Sequence, residues 1–178
     1  MAENIMTPEF RVSFPNVFRP QKPLKDGDEP KYGMTMLFPK GADLSKLKAA
    51  AKEAIKEKWG DKPPKNLRSP FRDQGEKEFD GYEDGAIFIT ATSKQKPGLV
   101  DASVQPIIDE SEFYPGCYAR ATIRAFAYDK AGNRGVAFGL QNVQKTRDGD
   151  PLGGRTRPEN DFEPVAAEEG GSDDDIFD

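Results

Sequence analysis

Cys117-Tyr118-Ala119-Arg120-Ala121-Thr122-Ile123-Arg124-Ala125-Phe126-Ala127-Tyr128 alternates small apolar residues with large aromatic or charged ones along its whole length. A strand sends successive side chains to opposite faces, so this pattern sorts into two surfaces. One holds Cys117, Ala119, Ala121, Ile123, Ala125 and Ala127, and can lie against a core. The other holds Tyr118, Arg120, Thr122, Arg124, Phe126 and Tyr128. A helix would scatter both sets around its circumference. Asp129 to Asn133 (DKAGN) has the composition of a hairpin loop, and Arg134 to Val143 reads as the returning strand. A long hairpin of this kind places the chain in a β class.

Elements on either side agree. Glu9 to Phe18 (EFRVSFPNVF) reads as a first strand, with Phe10, Val12 and Phe14 alternating with Arg11 and Ser13 until Pro15 interrupts. Arg19 to Pro30 is a loop by its breakers, and Lys31 to Phe38 alternates again. Phe14, Phe18, Tyr32, Met34 and Phe38 are assigned mainly to the core. The period then changes: Leu44, Leu47, Ala51, Ala54 and Ile55 make an apolar stripe at helical spacing, with Asp43 as N-cap and Gly60 and Pro63 as stops. Asp61 to Gly85 is a long connection, and Ala86 to Thr92 a strand. Lys94 to Gly98 is a basic turn, Val100 to Ile108 a short strand, and Glu112 to Gly116 a turn. The fold expected is mainly β: about six strands in a small barrel or sandwich, with one helix inserted at residues 43–59.

Composition removes most catalytic chemistry. The chain has no histidine and one cysteine, Cys117, so it lacks a Ser-His-Asp or Cys-His pair and the ligands of a zinc finger. No cofactor and no metal site is expected. Carboxylate-only Mg²⁺ chemistry survives as a rival, a nuclease built on Asp101, Asp109 and Glu110. No run of about 18 apolar residues is present to span a membrane. Met1 to Pro8 lacks the pattern of a signal peptide, and a lone cysteine suits a reducing cytoplasm.

Charge divides the chain. It holds 26 Lys+Arg and 31 Asp+Glu, and nine of those acids lie in Glu159 to Asp178, which has no basic residue. Residues 1–158 are thus left with 26 basic against 22 acidic side chains, a net of about +4. The division expected is a binding domain at 1–155 and a disordered acidic tail at 156–178. Asp173, Asp174 and Asp175 precede Ile176 and Phe177, an apolar hook able to dock a basic-rimmed groove on a partner. The same anionic tail can compete for the basic face of its own domain.

The outer face of the quoted strand suits a single-stranded polyanion. Bases stack on aromatic rings for about 1–3 kcal/mol each without regard to sequence, and guanidiniums reach phosphates. Tyr118, Arg120, Arg124, Phe126 and Tyr128 are the candidate contacts. Arg68, Phe71 and Arg72 repeat the ring-plus-cation chemistry in the long connection, and Lys94 and Lys96 flank the groove. Each has an alternative duty: the strand face suits the solvated side of any sheet, and Phe71 can anchor its loop.

The chain also resembles phage-encoded single-stranded DNA-binding proteins with an OB-fold core. The resemblance rests on Lys96-Pro97-Gly98-Leu99-Val100-Asp101, on Tyr114-Pro115-Gly116-Cys117-Tyr118-Ala119-Arg120, and on Asn133-Arg134-Gly135-Val136-Ala137-Phe138-Gly139-Leu140-Gln141-Asn142-Val143-Gln144. Phe14-Pro15-Asn16-Val17-Phe18 and the Tyr32 to Phe38 strand share it, so it spans most of residues 9–155. It implies an OB-type barrel of five to six strands and sequence-independent binding of single-stranded DNA. It also implies service to replication or recombination in the cytoplasm of an infected cell. The acidic end is similar to single-strand-binder tails that recruit replication and repair proteins. Bacterial tails usually finish Asp-Ile-Pro-Phe, whereas here Asp178 follows Phe177 and no proline intervenes. A homo-oligomer is compatible with the sequence. The rival from another class is an acidic-tailed adaptor or DNA mimic without nucleic-acid affinity.

Overall fold

The computed structural model describes residues 4–22, 29–77, 79, 81–152 and 162–165. Eight strands and one α-helix follow in chain order: β1 (Ile5–Met6), β2 (Phe10–Gln21), β3 (Lys31–Leu37), α1 (Ser45–Trp59), β4 (Arg72–Asp73), β5 (Ile87–Ser93), β6 (Gly98–Val100), β7 (Tyr118–Lys130) and β8 (Asn133–Arg147). Five of them close on themselves. β2 pairs with β3, β3 with β5 and β7 with β8, all antiparallel; β5 pairs in parallel with β8, and β7 returns to β2. A closed ring leaves those strands no open edge for another chain to extend. The mainly-β expectation with one inserted helix holds.

The ring closes through a narrow seam. β2 meets β7 only at Phe10↔Ala119 and Arg11↔Tyr118. Farther along β7, β1 takes over at Ile5↔Ile123 and Met6↔Thr122. Thr7 fastens the handover: its hydroxyl accepts the Ala121 N–H at 3.0 Å, and its own N–H donates to Ala121 O.

Inside the ring the alternation of β7 appears as expected, with Cys117, Ala119, Ala121, Ile123 and Ala125 buried. Met34, Met36, Ile89 and Phe138 fill the interior, and Phe10 meets Phe38 edge-to-face at 5.9 Å. Alanines on both sides let α1 approach closely: it lays Leu47, Ala51 and Ala54 against β7 and β8. The helix starts later than Asp43 as N-cap implies, with Leu44 at the cap position. Asp43 still serves it, because its Oδ1 accepts the Ser45 N–H at 3.0 Å.

Three expectations change. Phe14 leaves the core and is 52% exposed, for the reason given below. The strand expected at Val100 to Ile108 shrinks to β6, because Asp101 turns the chain by accepting the N–H groups of Ser103 and Gln105. Two-residue β1 and β4 have no counterpart in the sequence reading. The boundary between domain and tail, and Asp173, Asp174, Asp175, Ile176 and Phe177, lie outside the described residues.

Candidate nucleic-acid interface

The outward face of β7 is split in two by what β8 pairs with on its far side. Around Arg124 to Tyr128 the neighbour beyond β8 is β5; around Arg120 it is β6. Between them the register slips once, where Gln141 is an extra residue on β8, and such a bulge bends its strand.

The first half is open. Arg124 faces Gly139, Gly139 pairs with Thr92, and Thr92 pairs with Gly33, so two of four positions in this row carry no side chain. Phe126 is 41% exposed and leans toward the bare position: a Cβ at Gly139 would stand 3.9 Å from its Cε1. Among the described residues Arg124 makes no ion pair or side-chain hydrogen bond. Tyr128 faces Gly135, where only glycine fits, since a Cβ would come 2.5 Å from the backbone oxygen of Arg68. Arg68 reaches this place by its backbone, donating its N–H to Arg134 O at 2.9 Å and accepting that of Val136 at 3.2 Å. The structure thus brings Arg68, Arg124, Phe126 and Tyr128 to one end of the ribbon.

The second half is engaged in structure. Arg120 donates from Nε to Gln144 Oε1 at 2.7 Å, and Gln144 donates to the carbonyls of Asp101 and Ala102. Tyr118 lies beneath the Arg147 guanidinium at 3.8 Å, and Arg147 pairs with Glu9 at 2.9 Å. That hydrogen bond from Arg147 holds the Glu9 carboxyl below the usual carboxylate range. One face of the Tyr118 ring is therefore already covered, which leaves it less surface for a base than Phe126 has.

The remaining candidates scatter. Phe71 packs edge-to-face on Phe138 at 5.8 Å and anchors its loop to the core. Arg72 pairs with Glu76 at 2.6 Å and stands 5.5 Å over the Phe88 ring. Lys94 pairs with Glu29 at 3.5 Å, and Lys96 is exposed. The three carboxylates of the nuclease rival hold separate posts. Asp101 caps its turn, Asp109 accepts the Ser111 N–H at 2.9 Å, and Glu110 pairs with Arg19 at 3.3 Å.

A second open region went unread in the sequence. A cavity of about 740 Å³ is lined by Phe14, Asn16, Gln21, Thr35, Arg72, Lys77, Phe79, Tyr82, Phe88 and Thr90. Four rings run through it edge-to-face: Phe14 to Phe79 at 5.3 Å, Phe79 to Tyr82 at 5.4 Å, and Tyr82 to Phe88 at 6.0 Å. The Phe-Pro-Asn interruption inside a strand was the available signal, since proline cannot donate to the ladder and marks a bulge. Phe79 and Tyr82 stood in a connection with no periodicity to place them. β5 links the two regions: Phe88 and Thr90 line the cavity, and Thr92 belongs to the bare row.

Known proteins share this frame. A structure of the single-stranded DNA-binding protein from bacteriophage Enc34, in complex with ssDNA, superposes with a TM-score of 0.69 at 23% identity over 84% of this chain and 89% of that one. Gp2.5, a single-stranded DNA binding protein encoded by bacteriophage T7, gives 0.59 at 15% identity over 97% and 100%. In sequence, putative protein p50 of Acyrthosiphon pisum secondary endosymbiont phage 1 is 33% identical over 172 residues, 89% of this chain and 92% of its own length. The family described as Enterobacter phage Enc34, ssDNA-binding protein, matches residues 3–176, nearly the whole sequence, and this chain belongs to that family.

Proposed function

We propose that this chain is a non-enzymatic, sequence-independent binder of single-stranded DNA that serves phage DNA replication or recombination. Its membership of the Enc34 family supports the ligand class. The observation that carries the placement is the row Arg124–Gly139–Thr92–Gly33, flanked by Phe126 and Tyr128. Bare backbone lets a strand of DNA lie close to the sheet, and exposed rings accept bases. The guanidinium of Arg124, unpaired among the described residues, takes a phosphate. Arg68 and the flanking Lys94 and Lys96 extend the cationic rim, while Arg120 and Tyr118 act mainly in structure. The acidic tail serves partner recruitment or self-competition.

Fluorescence anisotropy with mixed-sequence single strands across a salt series tests this reading. Log K for single strands falls with log salt at a slope of about 0.7 per phosphate neutralised. Arg124→Ala should flatten the slope by roughly that amount, and Arg120→Ala by less because Gln144 already holds its Nε. An unchanged slope with Arg124→Ala removes the proposed face. No binding by the full chain, or by a chain ending at Pro158, would favour an adaptor instead.

A further inference from the structure

We infer that the cavity beside Phe14 is a second nucleotide seat, in which unstacked bases of the bound single strand lie against Phe14 and Phe79 while Lys77 takes a phosphate. The inference rests on the proposed single-strand reading and extends it to residues outside the β7–β8 ribbon.

The backbone supplies the first argument. Ser13 pairs with Thr35 and Asn16 with Gly33, so β2 spends three steps where β3 spends two. The extra residue falls at Phe14-Pro15, and Phe14 sits at φ +47°, in the left-handed region. A bulky residue there is a rare and strained choice, which persists only where the surroundings enforce it. The consequence is that Phe14 turns away from the core and is left half in water beside Phe79, itself 49% exposed. An apolar ring gains little in folding from that position.

Chemistry of the lining supplies the second. Edge-to-face contact leaves ring faces open to a stacking base, and Phe14 and Phe79 form the exposed end of the run. Its inner end is fixed: Tyr82 and Ser13 share a hydroxyl–hydroxyl hydrogen bond of 2.8 Å, and Phe88 is buried. The Thr35–Thr90 hydroxyl pair lines the same space, and Asn16 and Gln21 add amides able to meet base edges. Arg72 is largely neutralised by Glu76, whereas Lys77 makes no ion pair among the described residues. Rings, neutral polar groups and one available cation fit a nucleotide better than an apolar peptide or an acidic one.

Continuity supplies the third. Thr90 in the cavity and Thr92 in the bare row are two residues apart on β5, roughly 7 Å, about one nucleotide step. A strand leaving Phe126 across Gly139 and Thr92 arrives at Phe14.

Ultraviolet crosslinking of full-length protein to oligo(dT), with the adducts mapped by mass spectrometry, tests the seat without altering the fold. Adducts at Phe14, Phe79 or Tyr82 are expected in addition to those on β7. Phe14→Gly then separates binding from structure, because glycine accepts the positive φ and loses the ring. Its midpoint of thermal unfolding should stay the same or rise, while affinity for oligo(dT) drops about fivefold or more. Adducts confined to the β7–β8 ribbon, with Phe14→Gly binding as tightly as the natural chain, would overturn the seat and leave the ribbon intact. Failure of the natural chain to bind at all would instead overturn the single-strand reading, and the seat with it.

Discussion

Cys117 opens the strand on which the fold turns, and it is fully buried. Burial pushes its thiol up to about 11 from an ordinary value near 9.0. The unfolded chain therefore gives up this proton first as pH rises. Its contribution is fully present below about pH 9 and is lost progressively on the way to 11, amounting to at most about 2 kcal/mol. Denaturant unfolding at neutral pH and at mildly alkaline pH should show that loss, and Cys117→Ala should lose less over the same interval. Equal losses in both chains would exclude the thiol as the cause. At this scale the sequence separated core from surface where alternation was clean: Met34, Phe38 and the alanines of β7 from Ala119 to Ala125 are buried as read. It misplaced Phe14, because a bulge reverses facing at a single residue while leaving the residue types of a strand unchanged. It also left Phe71 open between binding and anchoring, a choice decided by the position of Phe138, which is remote in sequence.

Elements of a dozen residues announce themselves, and those of two do not. The β7–β8 hairpin and α1 repeat their period several times, which is why their faces were legible. β1 and β4 contribute two residues each, too few to show any period, yet one extends the closing seam and the other borders the cavity through Arg72. The bare row is a property of paired elements, and its two glycines behave differently. At Gly33 a Cβ would press to 2.7 Å from the backbone oxygen of Ala91, so a side chain there disturbs the fold. At Gly139 the nearest atoms would be 3.8–3.9 Å away, ordinary contact. Gly139→Ala should consequently fold as well as the natural chain, since alanine also spares the backbone entropy that glycine loses in a strand. Gly139→Asp should fold too, but it sets a negative charge on the floor beside Phe126. One repulsive pair near a surface is enough to weaken single-strand binding at least about fivefold at low salt. Tight binding by Gly139→Asp would mean that DNA does not cross this row.

The whole molecule joins a ring with a basic excess to an anionic extension, and its closure was the least legible feature. The parallel β5–β8 pair and the β2–β7 seam unite segments distant in sequence, for which no local pattern exists. Charge, by contrast, is additive and readable at any length. Glu159 to Asp178 brings nine acids and no base, against a net of about +4 for everything before it. A tether so charged raises the local concentration of anion near Arg124 and Lys77 and competes with incoming phosphates. Ending the chain after Pro158 should then tighten single-strand binding, most strongly where the Debye length is about 30 Å at 0.01 M salt. The gain should shrink as that length falls to about 8 Å near 0.15 M. The comparison requires the two chains side by side across salt, because a change in intrinsic affinity would persist at high salt whereas competition by charge fades. Identical curves would assign the tail no part in DNA binding. Asp173 to Phe177 would then be left with the docking role alone, testable by whether Ile176→Ala and Phe177→Ala abolish capture of a replication or recombination protein while leaving DNA affinity untouched.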